Sequence, residues 1–124
     1  MISYSIYKLI HLLGIFLVIG SLSGIAYFTA NGGTKATNRL KAWSGSLHGI
    51  GLFLILLAGF GMLARLKIMG FPWPGWVFAK VGIWLILGGL IALASRKPLF
   101  AKILWFAIPF LGVLSAYFAI IKPF

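Results

Sequence analysis

The sequence contains no aspartate, no glutamate and no cysteine. Without carboxylate side chains, the protein cannot run a carboxylate acid–base pair, hold Ca²⁺ or Mg²⁺ in a side-chain cage, or form a di-iron carboxylate centre. Without thiols it has no disulfide, no thiolate nucleophile, no zinc–thiolate site and no iron–sulfur cluster of its own. These absences exclude most of the common catalytic and metal sites.

Charged residues of any kind are scarce, and apolar residues dominate. Of the 124 residues, 62% are hydrophobic and 9% are charged, whereas an ordinary soluble domain has about 25% charged residues. A soluble chain of this length could not bury so much apolar surface, because its surface-to-volume ratio is too high. The composition therefore predicts an integral membrane protein in contact with the lipid bilayer.

The apolar stretches divide into four segments, each long enough to cross the roughly 30 Å hydrocarbon core. We predict helices over about 5–30, 41–64, 75–95 and 100–121. A rigid aromatic turn is predicted at 71–76, since its two prolines do not fit a helix interior. Short connections make consecutive helices antiparallel neighbours. The predicted fold is an all-α, four-helix up-and-down transmembrane bundle forming one domain over 1–124.

The eleven basic residues lie mostly in the connections or near helix ends. That placement is typical of the positive-inside rule and of attraction to anionic lipid headgroups, and it argues against nucleic-acid binding. One side of the membrane receives Lys35, Arg39, Lys41, Arg96, Lys97 and Lys102. The other receives Lys8, Arg65, Lys67, Lys80 and Lys122. The first set predicts the cytoplasmic side, so we expect a multi-pass protein of the inner (plasma) membrane with both termini facing outward.

Three ionisable groups lie inside the predicted spans: His11, His48 and Lys80. Function is the first hypothesis for such residues in a membrane helix. Counting from the helix ends places His11 and Lys80 about one turn deep from the same surface, and His48 about one turn deep from the opposite surface. We therefore predict that His11 and Lys80 face each other across the bundle, and that His11 and His48 do not ligate one haem together.

Further candidates lie at the depth of His11. Met62 has a thioether that can serve as an axial haem ligand, and Trp76 and Trp84 flank Lys80 at helical spacing, where cation–π contact is expected. Simpler roles stay open for all of these residues. Lys80 can extend to the interface, each histidine can donate an interhelical hydrogen bond, and Met62 can fill a gap.

Glycines in the first two helices follow the small-xxx-small spacing that allows close helix packing in membranes. The pairs are Gly20 with Gly24, and Gly45 with Gly49. One face of the second helix is predicted to point into the bundle; it carries Gly45, His48, Leu52, Ile55, Gly59 and Met62. The same small residues would also leave room for a flat ring beside a histidine.

Several segments together resemble small bacterial membrane families. These are the histidine in 7–13, the Ser-Leu-His segment ending at His48, and the start of the third helix at 75–81, with its Trp76 and Lys80. The chain resembles the SirB-like proteins and, more distantly, the HemJ-type protoporphyrinogen oxidases and the membrane part of CopD-like proteins. The HemJ-type resemblance implies haem b binding with His11 and Lys80 as the functional pair. The chain departs from that family in its shorter length, in His48 and in having no acidic residue.

Two classes of function are consistent with these residues, which leave open whether the protein is an enzyme. One is a non-enzymatic packing or interaction protein, such as a homo-oligomer or an accessory subunit of a membrane complex. The other is a haem b-associated electron carrier or porphyrin-linked oxidoreductase. In the second, His11 is the axial ligand, Lys80 meets an anionic group, and Met62 or His48 of a second subunit are further ligands.

Overall fold

The computed structural model of the chain describes residues 2–68 and 72–123, which form four α-helices and contain no β-strand. The helices are α1 (Tyr4–Ala30), α2 (Lys41–Arg65), α3 (Gly75–Arg96) and α4 (Pro98–Ile121). All four are long and apolar enough to span a membrane. This confirms the predicted all-α four-helix bundle, and the chain is a multi-pass membrane protein.

The helix ends have local causes that can be read from the residues. The Ser3 hydroxyl caps α1 by accepting from the backbone N–H of Ile6 at 3.3 Å, as N-cap serines commonly do. Beyond the end of α1, Gly32 has a φ of +93°, a conformation that side-chain-bearing residues avoid. The first residue of the predicted aromatic turn, Phe71, lies outside the described residues.

The connection between α3 and α4 is shorter than the predicted four-residue turn at 96–99. Lys97 alone separates the two helices, in an extended conformation, and Pro98 occupies the first position of α4. A residue before proline favours extended backbone, and proline suits the first helical position because its missing N–H would have no partner there. The chain therefore reverses direction within one residue. Farther along, α4 continues through Pro109.

The four helices do not contribute equally to the bundle. Helix α1 is central: it packs along α2 most extensively and also contacts α4 and α3, whereas α2 and α3 barely meet. The apolar core joins α1, α3 and α4 through Val18, Leu22, Ile25, Ala26, Ile83, Leu87, Ala94, Ala101 and Ile108. These residues extend from the middle of the helices toward the α1–α2 and α3–α4 connections. The half that holds both chain termini is packed less completely.

Helix α2 is attached to α1 by a close backbone crossing at Gly14 and Gly51. A Cβ atom added to Gly14 would lie 2.8 Å from the Gly51 carbonyl oxygen, and one added to Gly51 would lie 2.8 Å from that of Gly14. Both distances are shorter than van der Waals contact allows, so neither position can take a side chain without moving a helix. In membranes, such close approach replaces the hydrophobic effect as a source of helix association.

The glycine pairs singled out in the sequence behave differently. A Cβ atom at Gly20, Gly24, Gly45 or Gly49 would meet no atom within 4 Å, so none of the four mediates a helix contact within the described part of the chain. Gly45 is exposed and lines an open pocket at the end of the bundle, so it makes no close helix contact. The crossing is formed by Gly14 and Gly51, which face the partner helix, and not by the glycines at small-xxx-small spacing.

The crossing predicts a sharp difference between glycines of the same two helices. We expect Gly14→Ala and Gly51→Ala each to destabilise the protein by about 1–3 kcal/mol, because the new methyl group overlaps backbone atoms of the partner helix. Gly20→Ala and Gly24→Ala are the matched controls. They should be neutral or stabilising by up to about 1 kcal/mol, since alanine favours helix and meets open space. Unfolding of the purified protein in a detergent titration measures all four, and equal losses in both pairs would contradict the assignment.

Candidate functional site

The half of the bundle that holds the chain termini contains a partly open cavity of about 570 Å³. All four helices line it: α1 with residues from Tyr4 to Ile19, α2 from Ile55 to Leu63, α3 from Trp76 to Leu87, and α4 from Pro109 to Ile120. The walls are predominantly apolar. Its size lies within the range of small-molecule sites, which are typically 300–1,000 Å³ and mostly apolar with a few polar groups.

The structure brings five of the six sequence-predicted site residues to this cavity. They are His11, Met62, Trp76, Lys80 and Trp84. His11 and Lys80 therefore line one space, as expected from their equal depth on helices that run in the same direction. The sixth, His48, does not line it: it is buried in the other half of the bundle. His11 and His48 therefore lie in different parts of the bundle.

His11 is oriented by the backbone of α2. Its Nδ1 atom lies 2.9 Å from the carbonyl oxygen of Ile55, and a carbonyl oxygen can only accept a hydrogen bond. Nδ1 therefore carries the proton, and Nε2 is the nitrogen with the free lone pair. The ring also packs against the backbone of Gly59, where an added Cβ atom would lie 3.4 Å from Cε1. Histidines that ligate metals are commonly held in this way, by donating the other ring nitrogen to a carbonyl.

Trp84 connects α3 to α2, two helices that otherwise barely meet. Its Nε1 atom donates a hydrogen bond to the carbonyl oxygen of Leu52 at 2.9 Å. Leu52 and Ile55 lie on one face of α2, so that face presents carbonyl oxygens to Trp84 and to His11. Each of those carbonyl oxygens has two lone pairs. One can accept the helical hydrogen bond and the other the side-chain hydrogen bond, so the helical hydrogen bond need not be lost. Trp84 thus forms part of the cavity wall while it links α3 to α2.

The outer end of the cavity is basic. Lys8, Lys80 and Lys122 line it, and Lys122 Nζ lies 5.3 Å from the centre of the Trp76 ring. The cation over Trp76 is thus Lys122, whereas the sequence spacing pointed to Lys80. No side-chain carboxylate exists anywhere in the chain to neutralise these amines. The arrangement can accept an anionic group beside an apolar interior.

Lys8 and Lys122 were missed as site residues because each looked like an ordinary charge flanking a helix end. Tyr4 also lines the cavity. The signal that could have found them is depth: α1 begins and α4 ends at the surface from which Lys80 is one turn deep. Residues at those two ends necessarily surround the mouth of any space below Lys80.

His48 has an unusual environment of its own. It is 3% exposed, and although the backbone of Gly88 is nearby, neither ring nitrogen has a partner at hydrogen-bond distance among the described residues. A buried imidazole without a partner costs on the order of 1–3 kcal/mol. The sequence left open an interhelical hydrogen bond as the simpler role of His48. Within the described residues, the structure shows no such bond of ordinary length.

Comparison of the chain with protein-family models, with curated proteins and with solved structures finds no match in any of the three.

Proposed function

We propose that the protein binds an amphipathic anionic small molecule inside its bundle. The observation that carries this proposal is the cavity, which joins apolar walls to three lysines at its mouth. The apolar body of the ligand would displace lipid or water from the interior, where burial contributes roughly 25 cal/mol per Å². Its acidic groups would meet Lys8, Lys80 and Lys122, which have no acidic side chain of the protein to pair with.

Haem b is the ligand that the donor set favours. His11 offers a lone pair on Nε2 and is held by the Ile55 carbonyl, Met62 offers a thioether in the same cavity, and the lysines suit the two propionates. The more distant resemblance to HemJ-type proteins implies the same cofactor. Haem would supply electron transfer or porphyrin-linked redox chemistry, while the protein orients the group and excludes water. His11, Met62 and the lysines are proposed as the residues that hold it.

The absorption spectrum of the protein, purified from cells supplied with haem precursors, tests this proposal. We expect a Soret band in the wild-type protein that is lost in His11→Ala, because the axial nitrogen is removed. His48→Ala is the matched control: it removes the other imidazole, outside the cavity, and should retain the band. Lys80→Gln should keep the band but weaken haem retention during washing.

Two results would contradict the haem proposal. One is wild-type protein that neither carries haem nor quenches its tryptophan fluorescence when haem b is titrated in. The other is equal loss of the Soret band in His11→Ala and His48→Ala, since a general loss of folding would then explain both.

A second candidate function is that of a packing or interaction protein, either a homo-oligomer or an accessory membrane subunit. The observation that favours it is the open surface at Gly20 and Gly24 on α1. A smooth glycine surface facing outward allows another helix to approach closely.

The oligomer proposal has its own test in the mass of the detergent-solubilised protein. Gly20→Leu and Gly24→Leu should shift a dimer or larger assembly toward monomer, because leucine prevents close backbone approach. Gly82→Leu is the control, as Gly82 also meets open space but lies on α3. A wild-type protein that is monomeric at all concentrations tested would contradict this candidate.

We further propose that the protein lies in the inner (plasma) membrane with both termini facing outward. The support is the six basic residues near the α1–α2 and α3–α4 connections, against five near the other surface. Cytoplasmic loops carry an excess of Lys and Arg. The cavity mouth would then open toward the outer face.

Reporter fusions at the C-terminus and in the α1–α2 connection check this orientation. A periplasmic reporter such as alkaline phosphatase should be active at the C-terminus and inactive in the connection near Lys35. A cytoplasmic reporter should give the reverse pattern. Activity of the cytoplasmic reporter at the C-terminus would mean that the protein is inserted the other way round.

A further inference from the structure

A second pocket, of about 410 Å³, lies at the opposite end of the bundle from the cavity. It is formed by the C-terminal turns of α1, the connection to α2, the first turns of α2 and the last turns of α3. Its polar lining residues are Thr29, Thr34, Lys35, Asn38, Lys41 and Ser95. The pocket shares no lining residue with the cavity, so a ligand bound here is independent of the proposed function.

The connection that shapes this pocket is held in place by its own hydrogen bonds. The backbone N–H of Thr34 donates to the Thr37 hydroxyl at 2.9 Å, and the N–H of Thr37 donates to the Thr34 hydroxyl at 3.3 Å. The N–H of Leu40 donates to the Asn38 side chain at 3.0 Å. Lys35, which lies between these contacts, is therefore presented from a defined turn.

The first turn of α2 adds further positive potential. Leu40, the N-cap residue, makes no side-chain capping bond, and the N–H groups of Ala42 and Trp43 have no backbone acceptor within the described residues. Uncapped N–H groups and the helix dipole together attract anions. Lys41, at the start of the helix, lines the pocket beside them.

Thr29 supplies independent evidence that the pocket is built to receive a polar group. Its side chain is 3% exposed, and it lines the pocket. Within residues 2–68 and 72–123 its hydroxyl makes no hydrogen bond, yet it is not among the fully enclosed polar atoms. A threonine within a helix can bond to its own backbone, but this hydroxyl instead reaches the pocket. The hydroxyl is therefore open to the pocket and can donate a hydrogen bond to a ligand oxygen there.

We propose that this pocket binds a phosphate group. Phosphate oxygens would accept from Lys35, Lys41 and the Thr29 hydroxyl, and the first turn of α2 would stabilise the negative charge. The absence of acidic side chains leaves both lysines free to pair with the ligand. The pocket lies at the end of the membrane-spanning helices, where the phosphate of an anionic lipid headgroup and a soluble phosphate are both within reach.

The test uses the full-length protein in a non-ionic detergent and three probes: inorganic phosphate, dihexanoyl phosphatidic acid and dihexanoyl phosphatidylcholine. Binding is read from the rise in the thermal unfolding midpoint with probe concentration and from bound mass in native mass spectrometry. We expect phosphatidic acid to bind and phosphatidylcholine to bind at least about tenfold more weakly, a factor equal to about 1.4 kcal/mol. If inorganic phosphate binds with the same affinity as phosphatidic acid, the ligand is a soluble phosphate. If inorganic phosphate binds more weakly than phosphatidic acid, the ligand is a lipid headgroup.

Matched variants separate the pocket from general surface charge. Lys35→Gln with Lys41→Gln should weaken binding about tenfold or more. Lys97→Gln with Lys102→Gln removes the same charge from the same end of the bundle, outside the pocket, and should change affinity less than about twofold. Thr29→Val, which removes the hydroxyl, should weaken binding, whereas Thr29→Ser, which keeps it, should bind like the wild-type protein. A merely structural role of this position would not predict that difference.

Equal weakening in the two lysine pairs would overturn the proposal, because diffuse attraction to the basic surface would then explain binding. Failure of both phosphatidic acid and inorganic phosphate to bind the wild-type protein would overturn it as well. Neither result bears on the Soret band or on His11, so this inference and the proposed function fail independently.

Discussion

The backbones of α1 and α2 touch where Gly14 meets Gly51, and the remaining architecture depends on that contact. It brings α2 close enough for the His11 ring to reach the Ile55 carbonyl oxygen at 2.9 Å. It also commits α2 to α1, while α3 and α4 complete an apolar core on the other side of α1. Because α2 and α3 then barely meet, the space between them at the terminal end remains as the cavity.

The same constraint explains how the cavity can be polar in places without destabilising the helices. In lipid, every backbone group needs a partner, and helices supply almost all of them internally. His11 and Trp84 use the second lone pairs of carbonyls on α2, so they hold side chains in position without breaking helical bonds. The orientation of His11 and the packing of the bundle therefore both depend on the contacts between α1 and α2.

The charge distribution gives both ends of the bundle a preference for anions. The chain has eleven basic side chains and no acidic one, so it has no side-chain ion pairs of its own to form. Lys8, Lys80 and Lys122 collect at the cavity mouth, and Lys35 and Lys41 collect at the opposite pocket. Ligands that join an apolar body to an acidic group, or that carry phosphate at the membrane surface, have the complementary chemistry.

Hydropathy and length alone determined that this chain forms four membrane-spanning helices, because only a helix satisfies its own backbone over about twenty apolar residues. Counting turns from the helix ends also placed His11 and Lys80 at one depth and His48 at another, since helical rise is constant. Rotation about each helix axis and the choice of neighbour are not contained in such a count. Only the tertiary structure decided that Gly14 and Gly51, rather than the spaced glycine pairs, form the crossing, and that Lys122 rather than Lys80 lies over Trp76. Each depends on which helix faces which, and four nearly uniformly apolar helices carry little sequence signal for that choice.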